Sequence, residues 1–124
     1  MADSDDGTDA GPPRLRLRVT RSAADRTVIA LAGRFDAVEA LAVRERLARA
    51  DITGAGHLVF DLADVTFLDS AGLAVLVRTR QDRMRTGGSV SLIRPVSEDS
   101  MRVLRLTQFD QIFTMVDGRA RGTT

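Results

Sequence analysis

Few side chains in this sequence can do chemistry, and Ser70 stands apart from the rest. It lies in Phe67-Leu68-Asp69-Ser70-Ala71-Gly72-Leu73, where an apolar run gives way to a helical pattern. Ala71 and Gly72 follow it and leave the hydroxyl sterically open. The first backbone N–H groups of a helix lack intrahelical partners, and the helix dipole adds partial positive charge there. Three chemistries fit this setting. Ser70 or Asp69 caps the helix. Ser70 is a hydrolytic nucleophile. Or Ser70 accepts a phosphoryl group, which adds about −1.5 to −2 charge at an accessible helix start. The nucleophile reading is short of parts. The G-x-S-x-G pattern fails at Leu68, and the lone imidazole, His57, lies one strand upstream with nothing to place it against Ser70.

The remaining inventory narrows the chemistry further. The chain has 124 residues, the size of one domain. It has no cysteine, so a disulfide framework, a thiol nucleophile and a Cys-based metal site are excluded. A single histidine excludes any mechanism that needs two in one chain. All 18 basic residues are arginine, which removes Schiff-base chemistry and a phosphate-loop lysine. Gly87-Gly88 ends a helix rather than opening one, so it is no phosphate cradle either. No catalytic residue, metal or cofactor is expected.

Hydrophobic residues make up 44% and charged residues 28%, as in folded soluble domains. Aromatics are 4%, all Phe, so the core must be Leu, Val, Ile and Ala. No run approaches the ~18 apolar residues of a membrane span. The opening MADSDDGTDAGPP is acidic and has no apolar segment, so it is not a signal peptide. A cytoplasmic protein is expected. The net charge of +1 hides an asymmetry. Asp3, Asp5, Asp6 and Asp9 crowd the start, and Gly11, Pro12 and Pro13 follow, as in a disordered acidic leader over 1–13. The arginines spread from Arg14 to Arg121 without an aromatic platform or zinc-finger spacing, so nucleic acid is not an expected direct partner.

The elements that must position Ser70 follow from periodicity. Residues 14–20, RLRLRVT, alternate strictly and read as a half-buried strand near a sheet edge. After a turn at 21–26, TVIALA over 27–32 is a second strand, stopped by Gly33. Asp36 opens a helix with Glu39 three residues on, a D-x-x-E capping box. Its apolar stripe is Ala40, Val43, Leu47 and Ala50, widened by Val38, Leu41 and Ala48, and Gly54 and Gly56 close it. HLVFDL over 57–62 is a buried strand, followed by a turn with Asp64. A helix from Asp69 or Ser70 to about Arg85 turns Leu73, Leu76, Val77 and Met84 inward. SVSLI over 89–93 is a fourth strand. A third helix spans 98–107, capped by Ser97 or Ser100, with Met101, Val103, Leu104 and Leu106 apolar. QIFTMV over 111–116 is a last strand. The order β-β-α-β-α-β-α-β predicts an α/β fold: a single mixed, mostly parallel sheet of about five strands with helices packed against it.

With these residues laid out, Phe60-Asp61-Leu62-Ala63-Asp64-Val65-Thr66-Phe67-Leu68-Asp69-Ser70-Ala71-Gly72-Leu73 resembles the signature of the STAS domain in bacterial anti-sigma-factor antagonists. Three further pieces agree in order. Leu31-Ala32-Gly33-Arg34-Phe35-Asp36 resembles the family's L-x-G-E-L/F-D element. Gly87-Gly88-Ser89-Val90-Ser91-Leu92 resembles its fourth strand. Val103-Leu104-Arg105-Leu106-Thr107-Gln108-Phe109-Asp110 resembles its V-L-x-L-T-G-L-D segment. The resemblance covers residues 14–117, leaving 118–124 as a flexible tail. It implies a regulator, not an enzyme. The unphosphorylated antagonist binds an anti-sigma factor that is also a serine kinase and so frees a sigma factor. Phosphorylation of the motif serine, here Ser70, breaks the complex, and a serine phosphatase restores it. Asp36, Asp69, Ala71, Gly72 and Leu73 are carried over as partner-binding positions. For Asp36 a helix cap is the bland alternative, and for Gly72 tight packing within the domain.

Two departures matter. The family often has Glu where this chain has Arg34, and Gly where it has Gln108. The family's last amphipathic helix also has no counterpart in Asp117-Gly118-Arg119-Ala120-Arg121-Gly122, which leaves a surface exposed or covered by a second subunit, a homodimer. STAS domains also serve as subunits of lipid-transport ATPases and in stress-signalling complexes, and that role is the alternative to a sigma-factor switch.

Overall fold

The computed structural model describes residues 15–117. The expected leader at 1–13 and the tail and missing helix at 118–124 lie outside them. Five strands form one sheet in sequence order: β1 Leu15–Ala23, β2 Arg26–Phe35, β3 His57–Leu68, β4 Ser89–Ile93 and β5 Thr114–Val116. β1 and β2 are an antiparallel hairpin, and β2, β3, β4 and β5 run parallel. The crossovers carry α1 Ala37–Leu47 with the short α2 Ala50–Thr53, then α3 Ser70–Arg85, then α4 Glu98–Leu106 with the short α5 Phe109–Ile112. This is the α/β mixed sheet that the residue pattern implied.

β3 is the spine. A central parallel strand buried on both faces should be continuously apolar, and residues Leu58 to Ala63 are all buried. Leu58, Phe60, Leu62, Val65 and Leu68 join Ile29, Leu31, Phe35, Leu92, Leu76 and Leu104 in the main core. Val59 and Ala63 point the other way, packing with Val28 and Ile93. Each such side chain contributes about 1.5–3 kcal/mol when fully buried.

Two strands run past the ends expected from the sequence, for one reason. β2 passes through Gly33 to Phe35, and β3 passes through Asp64 to Leu68. The pairing steps from Ala30↔Asp61 to Ala32↔Asp64, and again from Gly33↔Val65 to Arg34↔Phe67. Each step inserts one extra residue in β3, a bulge that bends the strand without ending it. Gly33 sits at φ 108, a conformation that glycine adopts freely. After two bulges the strands finish level, with Phe35 paired to Leu68.

Other corrections concern the helices. The first breaks after Leu47 and restarts as α2, which buries Ile52. Only Ala40 and Val43 are buried along α1, because α3 and the sheet cover one stripe; Val38 and Leu41 stand 65% and 60% exposed. On α3, Val75 takes the inward place expected for Met84, which is exposed, as is Leu106 on α4. The expected strand 111–116 starts as α5, and β5 keeps only Thr114–Val116. Gln108, at φ 62, turns the chain out of α4 and into α5.

Candidate functional site

The level ends of β2 and β3 set two helix starts side by side. Asp36 follows Phe35 and caps α1, its Oδ1 accepting from the N–H groups of Val38 at 3.1 Å and Glu39 at 3.3 Å. Asp69 follows Leu68 and caps α3, its Oδ1 accepting from Ala71 at 3.0 Å and Gly72 at 3.1 Å. The second Asp69 oxygen reaches across the junction and accepts from the Ala37 N–H at 3.1 Å. One carboxylate therefore holds the first turns of both helices. Nothing local in the sequence marks Ala37 as its partner.

Gly72 completes the junction. A Cβ there would lie 2.6 Å from the Phe35 carbonyl oxygen and 3.1 Å from Leu68 Cδ1. The close backbone that Gly72 admits is thus the domain's own β2. Gly72 and Leu73 are buried, so they support the surface from beneath. Ala71 is half-buried and Asp36 is buried at 8% exposure.

Ser70 is the first residue of α3 and is exposed. Among the described residues nothing takes up its hydroxyl. The Ala71 and Gly72 N–H groups, expected to welcome an anion, are already bonded to Asp69. A negative group on Ser70 would stand beside the Asp69 carboxylate, with little of the helix start left to neutralise it. Arg34 brings a cation to the Asp36 side of this corner. Its Nε lies 3.6 Å from Asp36 Oδ2, and its guanidinium sits 4.1 Å over the Phe67 ring. Both contacts leave the Arg34 side chain half exposed. Around this corner Phe67 on β3 and Val38 and Leu41 on α1 are exposed apolar side chains. The helical pattern alone had placed the latter two in the core.

His57 is at the far end of β3, roughly 30 Å from Ser70 at ordinary strand rise. Its Nδ1 lies 2.6 Å from Ser89 Oγ, and its Nε2 is 3.9 Å from Asp25 Oδ2. It cannot act as a base for Ser70. Among the described residues no cluster of three or more His, Asp or Glu could hold a metal, and no helix is long and apolar enough to cross a membrane.

Comparison with known proteins gives a consistent picture. The family model described as "STAS domain" matches residues 15–121. An anti-sigma factor antagonist from Mycobacterium paratuberculosis superposes with a TM-score of 0.71 at 24% identity, over 86% of this chain and 88% of that one. The anti-sigma factor antagonist SpoIIAA in its unphosphorylated form gives 0.71 at 17% identity, over 88% and 99%. The Bacillus cell fate determinant SpoIIAA in its phosphorylated form gives 0.66 at 17% identity, over 83% and 91%. At these identities the structures establish the shared fold.

Proposed function

The chain belongs to the STAS domain family, and on that premise we propose that it is an anti-sigma-factor antagonist switched at Ser70. Unphosphorylated, it binds an anti-sigma factor that is also a serine kinase and so releases a sigma factor. The kinase transfers a phosphoryl group to Ser70 and the complex parts. A serine phosphatase restores the binding form. The unit that does this is assigned to residues 14–117, working in the cytoplasm without a cofactor or catalytic chemistry of its own.

The observation that carries this reading is the exposed Ser70 hydroxyl beside a carboxylate that has already taken the neighbouring N–H groups. The domain tolerates a phosphate there because no buried contact depends on the hydroxyl. The partner does not tolerate it, because the added charge stands beside the Asp69 carboxylate and must be desolvated in the interface. Desolvating such a charge in an interface costs several kcal/mol, and about 3 kcal/mol already exceeds a hundredfold in affinity. Val38, Leu41 and Phe67 offer the apolar contact area beside the switch.

Incubation with the cognate kinase and ATP, followed by peptide mass spectrometry, tests the proposal. Phosphate on Ser70, absent from Ser70→Ala, is the expected result. Phosphate elsewhere, with Ser70→Ala still released from its partner, would overturn it.

A further inference from the structure

We propose that a cavity between α1, α2 and α3 binds a small amphipathic anion, an aliphatic carboxylate whose chain enters the cavity and whose headgroup stays at its mouth. The proposal rests on this cavity alone and is independent of the Ser70 switch.

The cavity holds about 310 Å³, at the small end of ligand pockets. Leu47, Ile52, Leu58 and Val75 line its floor. Ile52 and Leu58 are among the most buried side chains of the domain, so the floor continues the main core. The rim is of the opposite character. Arg44, Arg78 and Arg83 also line the cavity, from the end of α1 and the second half of α3. The described acid in the lining is Asp82, whose Oδ1 is engaged by Arg85 at 2.6 Å. Arg44 and Arg78 are exposed and have no acidic partner among the described residues. Arg83 is fixed, its Nη1 donating to the carbonyls of Thr53 and Ala55 at 2.8 Å each, while its Nε is buried without a partner.

Arg44 and Arg78 bring two guanidinium groups without described acidic partners to the opening beside Arg83, and a shared anion neutralises them. Arginine binds carboxylate through two parallel hydrogen bonds, which favours this headgroup over a hydroxyl. Leu47, the partly exposed member of the apolar lining, gives a hydrocarbon chain a contact that a bare inorganic ion cannot use.

Titration of the full chain with sodium octanoate, followed by amide NMR, tests the site. Parallel titrations use octanol and inorganic phosphate. Octanoate is expected to saturate, with shifts centred on Leu47, Ile52, Leu58 and Val75. Octanol and phosphate should each bind at least about tenfold more weakly, the equivalent of one charged hydrogen bond. The double variant Arg44→Gln with Arg78→Gln should lose about tenfold in octanoate affinity with its fold intact by circular dichroism. Both residues are exposed, so folding does not confound the test. Equal affinity for octanol or phosphate, shifts that never saturate, or unchanged binding in the double variant would overturn the proposal.

Discussion

The carboxylate of Asp69 accepts a hydrogen bond from the Ala37 N–H, 32 residues away in the chain, while also capping its own helix. The start of α1 and the start of α3 are thereby one structure. A side chain next to Ser70 in sequence is part of the scaffold that aims Ser70.

Asp69→Asn separates the two duties. Asparagine caps helices well but offers one acceptor oxygen, where aspartate uses two. It can serve Ala71 and Gly72 or Ala37, not both sides. The expected loss is about 1–2 kcal/mol, and about 2–3 kcal/mol for Asp69→Ala, which removes every acceptor. Urea unfolding measures both. Equal stability of Asp69→Asn and wild type would mean that the bond to Ala37 contributes nothing.

Gly72→Ala sets two effects against each other. Helix propensity favours alanine by about 1 kcal/mol. The new methyl would meet the Phe35 carbonyl at 2.6 Å, and that oxygen belongs to backbone held by β2–β3 pairing. Overpacking of this kind costs about 1–3 kcal/mol, so the net change is destabilising. A thermal melt of Gly72→Ala should fall below wild type.

Gln108→Gly should go the other way. Gln108 holds φ 62, a region that costs an L-residue about 1–2 kcal/mol. Glycine relieves that strain but gives back part of it through its freer unfolded chain. A gain of about 0.5–1 kcal/mol remains, read as a higher urea midpoint at unchanged slope. The same geometry gives a reason for the glycine that the resembling segment carries at this place.

What was legible in the sequence was local. Asp36 and Ser97 announced their helices by type and spacing, SVSLI matched β4 to the residue, and the apolar run of β3 showed a strand buried on both faces. What was not legible depended on partners distant in the chain. The two bulges that extend β2 and β3 are a matter of register between strands, and Gly33 read alone looks like a stop. Val38 and Leu41 carry core chemistry, but only packing decides which stripe of α1 is covered. The Asp69 bond to Ala37 exists because Phe35 and Leu68 finish level, and no short window contains both.

Leu41→Asp distinguishes a contact surface from a core. Leu41 is 60% exposed, so the change should move stability by no more than about 0.5 kcal/mol. Val43→Asp, two residues on and 1% exposed, buries a charge and should prevent folding. If Leu41 belongs to the partner surface, Leu41→Asp also weakens capture of the anti-sigma factor by more than about tenfold, as loss of an apolar anchor does. Unchanged capture would remove α1 from that surface.

Ser70→Asp and Ser70→Ala test charge against shape at the proposed switch. Ser70 is exposed and its hydroxyl holds no described partner, so neither variant should change stability by more than about 0.5 kcal/mol. Ser70→Ala keeps the neutral surface and should bind the anti-sigma factor as wild type does, while blocking release on addition of ATP. Ser70→Asp places a charge beside Asp69, whose oxygens have already taken the Ala71, Gly72 and Ala37 N–H groups. That charge stands next to the Asp69 carboxylate and must be desolvated by the partner. Its single charge falls short of a phosphate's, so the expected loss is at least about tenfold, with the phosphorylated protein losing more. Raising salt should narrow the gap between Ser70→Asp and wild type, since screening acts on repulsion and not on packing. A gap that salt leaves untouched would point to desolvation or shape, not charge repulsion, as what parts the complex.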